Sequence, residues 1–271
     1  MNVGGSISTI VIIGGGPSGM MAAISSKIHY PKNQVILLER NNQLGVKLKL
    51  TGGGRCNVTA DVSNREVIDF TPKNGKFLFS SLSNFGPNEI QEFFKIEGCP
   101  LIVEDHKRVF PKSNRAIDII ITLRQKMERL NVDIKESCIV SLIDKEKKII
   151  QTNNGEIFYD SLIIATGGKT YPLTGSDGIG YELAKMLGHS ITELLPGEVP
   201  LVSNDKVIQD KVLQGLSFSD IRIDILGNNK VKKSIVHDLI ITHFGLSGPG
   251  ALRASFYVQE ILKKDTTVQI H

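Results

Sequence analysis

The chain begins with an apolar run, Ile10-Val-Ile-Ile13, that breaks into glycines and is followed by the helix-forming stretch Met20-Met-Ala-Ala-Ile24. A short continuous apolar run bounded by turn residues predicts a buried strand, and the sequel predicts a helix from about Pro17 to Ile28. Tyr30-Pro-Lys-Asn33 supplies a turn before a second apolar strand at 34–39, completing a βαβ unit. Amphipathic helices are predicted at 87–94 and 116–130, the latter with Ile119, Ile120, Leu123, Met127 and Leu130 at helical spacing. From Val132 the pattern is β-rich, with strands at 132–134, 138–143, 148–152 and 157–159 and a hairpin turn at Asn153-Asn-Gly155. Another buried strand lies in Asp160-Ser-Leu-Ile-Ile-Ala-Thr-Gly-Gly168, and a helix covers 181–187. Beyond Pro196-Gly197 and Pro200 the pattern predicts short strands, such as 221–226 and 235–242, separated by turns. This change places a domain boundary near 190–196.

The glycines after the first strand follow G-x-G-x-x-G at Gly14, Gly16 and Gly19, with Pro17 and Ser18 between the last two. Strand, glycine turn and helix together give this spacing a mechanism. Gly14 permits the tight turn, Gly16 lets the backbone approach a pyrophosphate, and Gly19 lets the helix pack close to the strand. The helix N-terminus then offers free N–H groups and a positive dipole to phosphates. Glu39 ends the second strand twenty residues after Gly19. A carboxylate there accepts hydrogen bonds from a ribose diol and disfavours a 2′-phosphate. Arg40, its neighbour, is placed with it in the nucleotide site. The expectation is a dinucleotide-binding α/β fold.

Composition narrows the alternatives. At 271 residues and 41% hydrophobic, the chain suits one large domain or two moderate ones. Its 32 basic and 28 acidic residues, with no Trp and few other aromatics, argue against a nucleic-acid groove. The three cysteines are far apart with no C-x-x-C, which counts against a dithiol centre and a zinc site. No metal is expected. With no basic region before the first apolar run and no apolar stretch near ~20 residues, the default is a soluble cytoplasmic protein without a membrane span.

A second constellation is Leu50-Thr-Gly-Gly-Gly-Arg-Cys-Asn57. Gly52, Gly53 and Gly54 offer bare backbone N–H groups, and Arg55 and Asn57 add a cation and an amide. Such a loop can wrap a pyrophosphate or approach a planar ring. Cys56 is best explained as a small packing residue. Ala165, Thr166 and Gly167 are small enough for a cofactor to lie against the end of their strand, although a buried strand with a glycine turn explains them too. In Gly175-Ser-Asp-Gly-Ile-Gly-Tyr181, Asp177 can meet the cofactor or simply cap the helix. His106, His189, His237 and His243 lack metal spacing and are expected to be satisfied and partly exposed. His243, at a strand end beside glycines, is the one candidate to face a substrate. Ser247 has a glycine on one side only and is no nucleophile elbow.

Taken together, the chain resembles the bacterial flavoprotein family called BaiN or YhiN-like, also described as aminoacetone oxidase-like or NAD(P)/FAD-dependent oxidoreductases. The resemblance rests on Ile12-Ile-Gly-Gly-Gly-Pro-Ser-Gly19, Leu50 to Thr59, Arg108-Val-Phe-Pro-Lys-Ser113, Ala165-Thr-Gly-Gly168 with Pro172 and Thr174-Gly-Ser176, and Thr242-His-Phe-Gly-Leu-Ser-Gly-Pro249. It implies a two-dinucleotide-type, Rossmann-like FAD domain (1–192, its N-terminal part) with a smaller β-rich domain inserted (193–271, likewise a part). By that analogy Gly14 to Gly19 hold the FAD pyrophosphate, Glu39 the adenosine ribose, and the backbone near Val140 the adenine. Lys47 and Thr51 to Asn57 lie along the pyrophosphate and toward the isoalloxazine, and Gly168 closes the Ala-Thr-Gly-Gly turn. The family's usual aspartate position is Ile179 here, so that contact passes only to Asp177. Members run to roughly 400 residues, the length of an FAD domain plus an insertion. The end at Thr267-Val-Gln-Ile-His271 therefore marks a truncated member.

The function expected is an FAD-dependent oxidoreductase acting on a small molecule that the sequence does not specify, with NAD(P)H a candidate reductant and the flavin carrying the hydride. No residue stands out as an acid–base catalyst. Three rivals remain: a nicotinamide dehydrogenase on a single glycine fold, a catalytically silent truncated flavoprotein, and a flavoenzyme acting on RNA. The Gly-Gly-Arg-Cys-Asn loop has no use in the first, and the weak basicity disfavours the last.

Overall fold

The computed structural model describes residues 7–264 and 267–271. The chain forms two compact units, one reaching to Ile191 and the other starting at Thr192.

The first unit is built on a four-stranded parallel sheet in the order Ser161–Ile164, Thr9–Ile13, Gln34–Leu38, Asp133–Lys135. Successive residues of a strand point to opposite faces, so continuous apolar runs serve a sheet covered on both sides. Ile10, Ile12, Val35 and Leu37 pack with Met20, Ala23 and Ile24 of the helix Pro17–His29 and with Ile119, Leu123 and Met127 of the helix Ala116–Arg129. Val11, Ile13, Ile36 and Leu38 pack on the other side with Val140, Ile143, Ile150 and Leu183. These belong to an antiparallel sheet of Val140–Asp144, Ile149–Thr152 and Gly155–Phe158 and to the helix Ile179–Met186. The strand Asp133–Lys135, expected at the start of the β-rich stretch, instead extends the parallel sheet beside Gln34–Leu38.

Between the second and third parallel strands in chain order, an antiparallel sheet joins Thr59–Ala60, Arg108–Pro111 and Leu101–Glu104. Periodicity revealed the helix Pro87–Ile96 but not this sheet, whose strands are only two to four residues long.

The second unit has a five-stranded antiparallel sheet in the order Leu201–Val202, Gly245–Ser247, Lys230–Ile241, Ser217–Gly227, Val268–Ile270. Two of its strands run eleven and twelve residues, longer than the short strands expected. A fifteen-residue helix, Gly248–Leu262, was not expected at all. Its Gly-Pro-Gly start looks like a turn, yet proline is favoured in the first turn, where its missing N–H costs nothing. Ala251 of this helix packs on Ile223 and Leu239 of the sheet. No described helix is long and apolar enough to cross a membrane.

Candidate functional site

Three segments meet at the carboxyl ends of the central parallel strands, where ligands of open α/β sheets bind. Gly14 follows the first strand, Glu39 the second, and Ala165 the fourth; Gly14 N donates to Leu38 O at 2.7 Å and Ala165 N to Ile13 O at 2.8 Å. Gly14 has φ +111°, and a Cβ there would lie 2.4 Å from the Ala165 carbonyl oxygen. A Cβ on Gly19 would lie 1.8 Å from the Gly14 carbonyl oxygen. Both glycines therefore allow backbone to meet backbone. Gly16 differs, because a Cβ there meets nothing within 4 Å. It faces open space at the N-cap of the helix Pro17–His29, and no side chain caps that helix. Backbone N–H groups left without partners at a helix start are the physical basis of a phosphate site.

Glu39 is 7% exposed and fixed on both oxygens. Its Oε2 accepts from Gly15 N at 2.7 Å, and its Oε1 from Asn41 N and Nδ2 at 2.8 and 2.7 Å. Asn41 Nδ2 also donates to Thr174 O at 3.1 Å, tying the 172–177 turn to the strand end. Arg40 pairs with Asp177 at 2.5 Å. The other Asp177 oxygen accepts from Ile179 N at 3.1 Å at the start of the helix Ile179–Met186. The Arg40 guanidinium holds the Asp177 carboxyl below the usual carboxylate range, with the Ile179 N–H adding to the effect. Asp177, one residue before the Gly178 N-cap, thus accepts the first N–H of a helix, pairs with Arg40 and lines the cleft at once.

The resulting cleft encloses about 350 Å³, within the range of ligand sites. Gly14, Gly16, Pro17, Ser18, Glu39, Arg40, Lys47, Val140, Ala165, Thr166, Gly167 and Asp177 line it. Lys47 reaches across to Thr170, donating to its Oγ1 at 2.7 Å and its carbonyl at 3.0 Å.

The glycine loop turns through left-handed conformations at Gly52 (φ +56°) and Gly53 (φ +66°), which explains the residue type at both. Cys56 shares that conformation at φ +64° and is buried, and burial pushes its thiol pKa up. Arg55 turns away from the cleft. Its guanidinium forms a bidentate pair with Glu104 at 2.8 and 3.1 Å, bonds Asn114 Oδ1 at 3.1 Å, and lies 4.0 Å from the Phe110 ring centroid.

A family model described as the HI0933-like protein Rossmann domain matches residues 8–230, and a second, the HI0933-like protein barrel and H2TH domain, matches 195–271. The chain belongs to the HI0933-like family. Among relatives of this HI0933-like chain, a 3-dehydro-bile acid delta(4,6)-reductase of Clostridium scindens is 28% identical over 97% of this chain and 64% of its own. A ribosomal RNA dihydrouridine synthase of Haemophilus influenzae is 27% identical over 92% of this chain and 61% of its own, and the Escherichia coli enzyme of that name is similar at 27%. The chain thus spans about three-fifths of the length of these relatives. The crystal structure of a 3-ketosteroid-delta4-(5alpha)-dehydrogenase from Rhodococcus jostii, in complex with 4-androstene-3,17-dione, shares the fold. Its TM-score is 0.53 at 15% identity, covering 80% of this chain and 61% of that one.

Not every candidate residue of the HI0933-like chain reaches the cleft. Thr51, Cys56 and Asn57 line a neighbouring chamber, while Gly19, Gly52, Gly53, Gly54, Arg55 and Gly168 line neither space. Gly19 serves helix packing, and Arg55 is consumed by Glu104 and Phe110. Asn41 and Cys138 line the cleft without having been singled out as site residues by sequence, and Thr174 and Ser176, quoted only as part of the family motif, line it too. Asn41 carried a usable signal as an amide two residues past the strand-end acid, and Thr174 and Ser176 carried one as part of a motif; Cys138 carried none. His243 is exposed beside the Phe244 ring, and His237, at 6% exposed, is more buried than expected, its Nδ1 accepting from Asp238 N at 2.9 Å.

Proposed function

We propose that this chain is the FAD-binding part of a flavin-dependent oxidoreductase, with residues 1–192 contributing to the FAD domain and 193–271 to an inserted one. The observation that carries this reading is the uncapped helix start with open space over Gly16, adjoining a Glu39 carboxylate already held in place. A pyrophosphate fits the N–H groups after Gly16, and a ribose diol fits the lone pairs that Glu39 keeps beyond its backbone bonds. The Val140 backbone offers an edge for adenine, and Lys47 adds positive charge toward the far end of the cleft. FAD, when bound, supplies two-electron hydride transfer. The protein's own share is to bind, to orient, and to keep Glu39 from moving. Fixed donors and acceptors of this kind cost little reorganisation on binding.

The substrate class is read from the two kinds of relative. Their names denote a delta(4,6)-reductase of a 3-dehydro compound and a synthase of dihydrouridine. Both amount to adding two hydrogens across a carbon–carbon double bond conjugated to a carbonyl. We extend that chemistry to this chain, with NAD(P)H as reductant. Its three cysteines are unpaired and buried, which suits a reducing cytoplasmic setting.

Titration of the purified chain with FAD, followed by visible absorption, tests the cofactor. Stoichiometric binding with a perturbed flavin band is expected. Binding of NAD with no uptake of FAD would replace this reading with a nicotinamide dehydrogenase.

A further inference from the structure

Behind the glycine loop lies a second space of about 550 Å³. It shares Pro17, Ser18, Lys47 and Leu48 with the nucleotide cleft, so the two spaces adjoin at the start of the first helix and at the Lys47–Leu48 turn. The remaining wall is mostly hydrocarbon and aromatic. Met21 comes from the helix Pro17–His29, Ile119 and Leu123 from the helix Ala116–Arg129, and Ile90, Phe93 and Phe94 from the helix Pro87–Ile96. Phe85 stands edge-on to Phe93 at 6.3 Å, and Phe93 edge-on to Phe94 at 5.2 Å, which makes one side of the chamber a wall of rings.

The polar groups of the wall are largely committed within the protein. Thr51 Oγ1 donates to Leu48 O at 2.8 Å, and Lys47 Nζ is held by Thr170. The Asn57 amide, in the orientation that its neighbours' acceptors require, donates to the carbonyls of Thr59 at 2.9 Å and Val109 at 3.3 Å. A nucleobase entering here would give up water on several donor and acceptor edges and find few partners in return. A flat hydrocarbon ring would give up nothing of that kind and would gain contact with aromatic walls.

We propose that this chamber is the substrate pocket, and that it takes a flat, largely apolar ring ketone with a conjugated double bond rather than a nucleobase. The proposal rests on the reading of the adjoining cleft as the flavin site, because only then does a ring in the chamber lie next to a hydride donor. The binding claim itself is independent of the cofactor and is tested without it.

Calorimetric titration of the FAD-free 271-residue chain with 3-phenyl-2-cyclohexenone, and separately with uridine, reads the chamber directly. Ketone binding at least tenfold tighter than uridine binding is expected. Ile90→Trp and, from a different wall, Val58→Phe fill the chamber and should each weaken the ketone at least tenfold, while Ile90→Leu should not. A parallel FAD titration on the same variants should give unchanged affinity. Uridine binding tighter than the ketone, or ketone binding indifferent to both filling variants, overturns the proposal. A normal ketone result with no FAD uptake by the unaltered chain would leave the pocket standing and remove the flavin reading.

Discussion

The Glu39 carboxylate accepts the backbone N–H of Gly15 at 2.7 Å, so the acid that follows the second strand also fixes the glycine turn that follows the first. The bond is buried and spans neighbouring parallel strands, and Asn41 holds the other oxygen of the same carboxylate. One side chain thus holds both halves of the proposed nucleotide site, the acceptor offered to a ribose and the turn whose N–H groups would face a pyrophosphate.

Glu39→Ala should therefore weaken FAD more than loss of a ribose contact alone. A charge-assisted hydrogen bond contributes about 1.5–3 kcal/mol, roughly ten- to a hundredfold in affinity. The Gly15 N–H, buried and stripped of its acceptor, adds a cost in stability of about 1–3 kcal/mol. Both effects should appear, as a lower melting temperature without ligand and a weaker FAD titration. Unchanged FAD affinity would remove Glu39 from the site.

Gly16 and Gly19 lie in one motif but answer to different constraints, and alanine separates them. Gly16 is at φ −76° with open space where a Cβ would go, so Gly16→Ala should leave stability within about 0.5 kcal/mol. It should still weaken FAD at least tenfold, because the methyl group occupies the space the pyrophosphate needs. Gly19→Ala drives a Cβ to 1.8 Å from the Gly14 carbonyl oxygen and should cost about 1–3 kcal/mol of stability or more. Thermal melts beside FAD titrations distinguish the two. Equal losses of stability in both variants would contradict the assignment.

Arg55 is expected to act on the fold, not on the cofactor. Its fork matches Glu104 and its plane lies on Phe110, a combination that lysine cannot reproduce. Arg55→Lys should thus destabilise nearly as much as Arg55→Ala, by about 1–2 kcal/mol for a part-buried bidentate pair with a ring contact. A double-mutant cycle with Glu104→Gln should show coupling in stability. Arg55→Lys that kept full stability but lost FAD would return this residue to the cofactor site.

How much of this was legible in the sequence depended on residue type and run length. Ile10–Ile13 and Val35–Leu38 declared themselves because strands buried on both faces need unbroken apolar runs. The helix Gly248–Leu262 did not, because Gly248, Pro249 and Gly250 carry breaker chemistry that a helix N-terminus happens to tolerate. Within the site, Gly14 and Glu39 were visible through spacing. The diversion of Arg55 was not, since its partners Glu104 and Asn114 lie about fifty and sixty residues away. A cation beside glycines looks the same in sequence whether it faces a phosphate or a distant carboxylate.

Asp177 joins two interactions that substitution can separate. Asp177→Asn removes the charge that pairs with Arg40 but keeps an oxygen for the Ile179 N–H; Asp177→Ala removes both. The ion pair is more than a third exposed on each side, so its loss alone should cost only about 0.2–1 kcal/mol. Loss of the Ile179 N–H bond in Asp177→Ala should add about 0.5–1.5 kcal/mol. The pH dependence has a fixed sign. Arg40 lowers the Asp177 pKa in the folded chain, so the stabilisation is fully present above the unfolded value near ~3.9 and is lost as pH falls through the folded one. The protection of residues 172–178 against hydrogen exchange, relative to the intrinsic rate at each pH, should therefore fall on acidification below about pH 4 in the unaltered chain, and much less so in Asp177→Asn, which has no proton to take up. Identical acid responses in the two chains would show that the Arg40 pair does not hold this edge of the cleft.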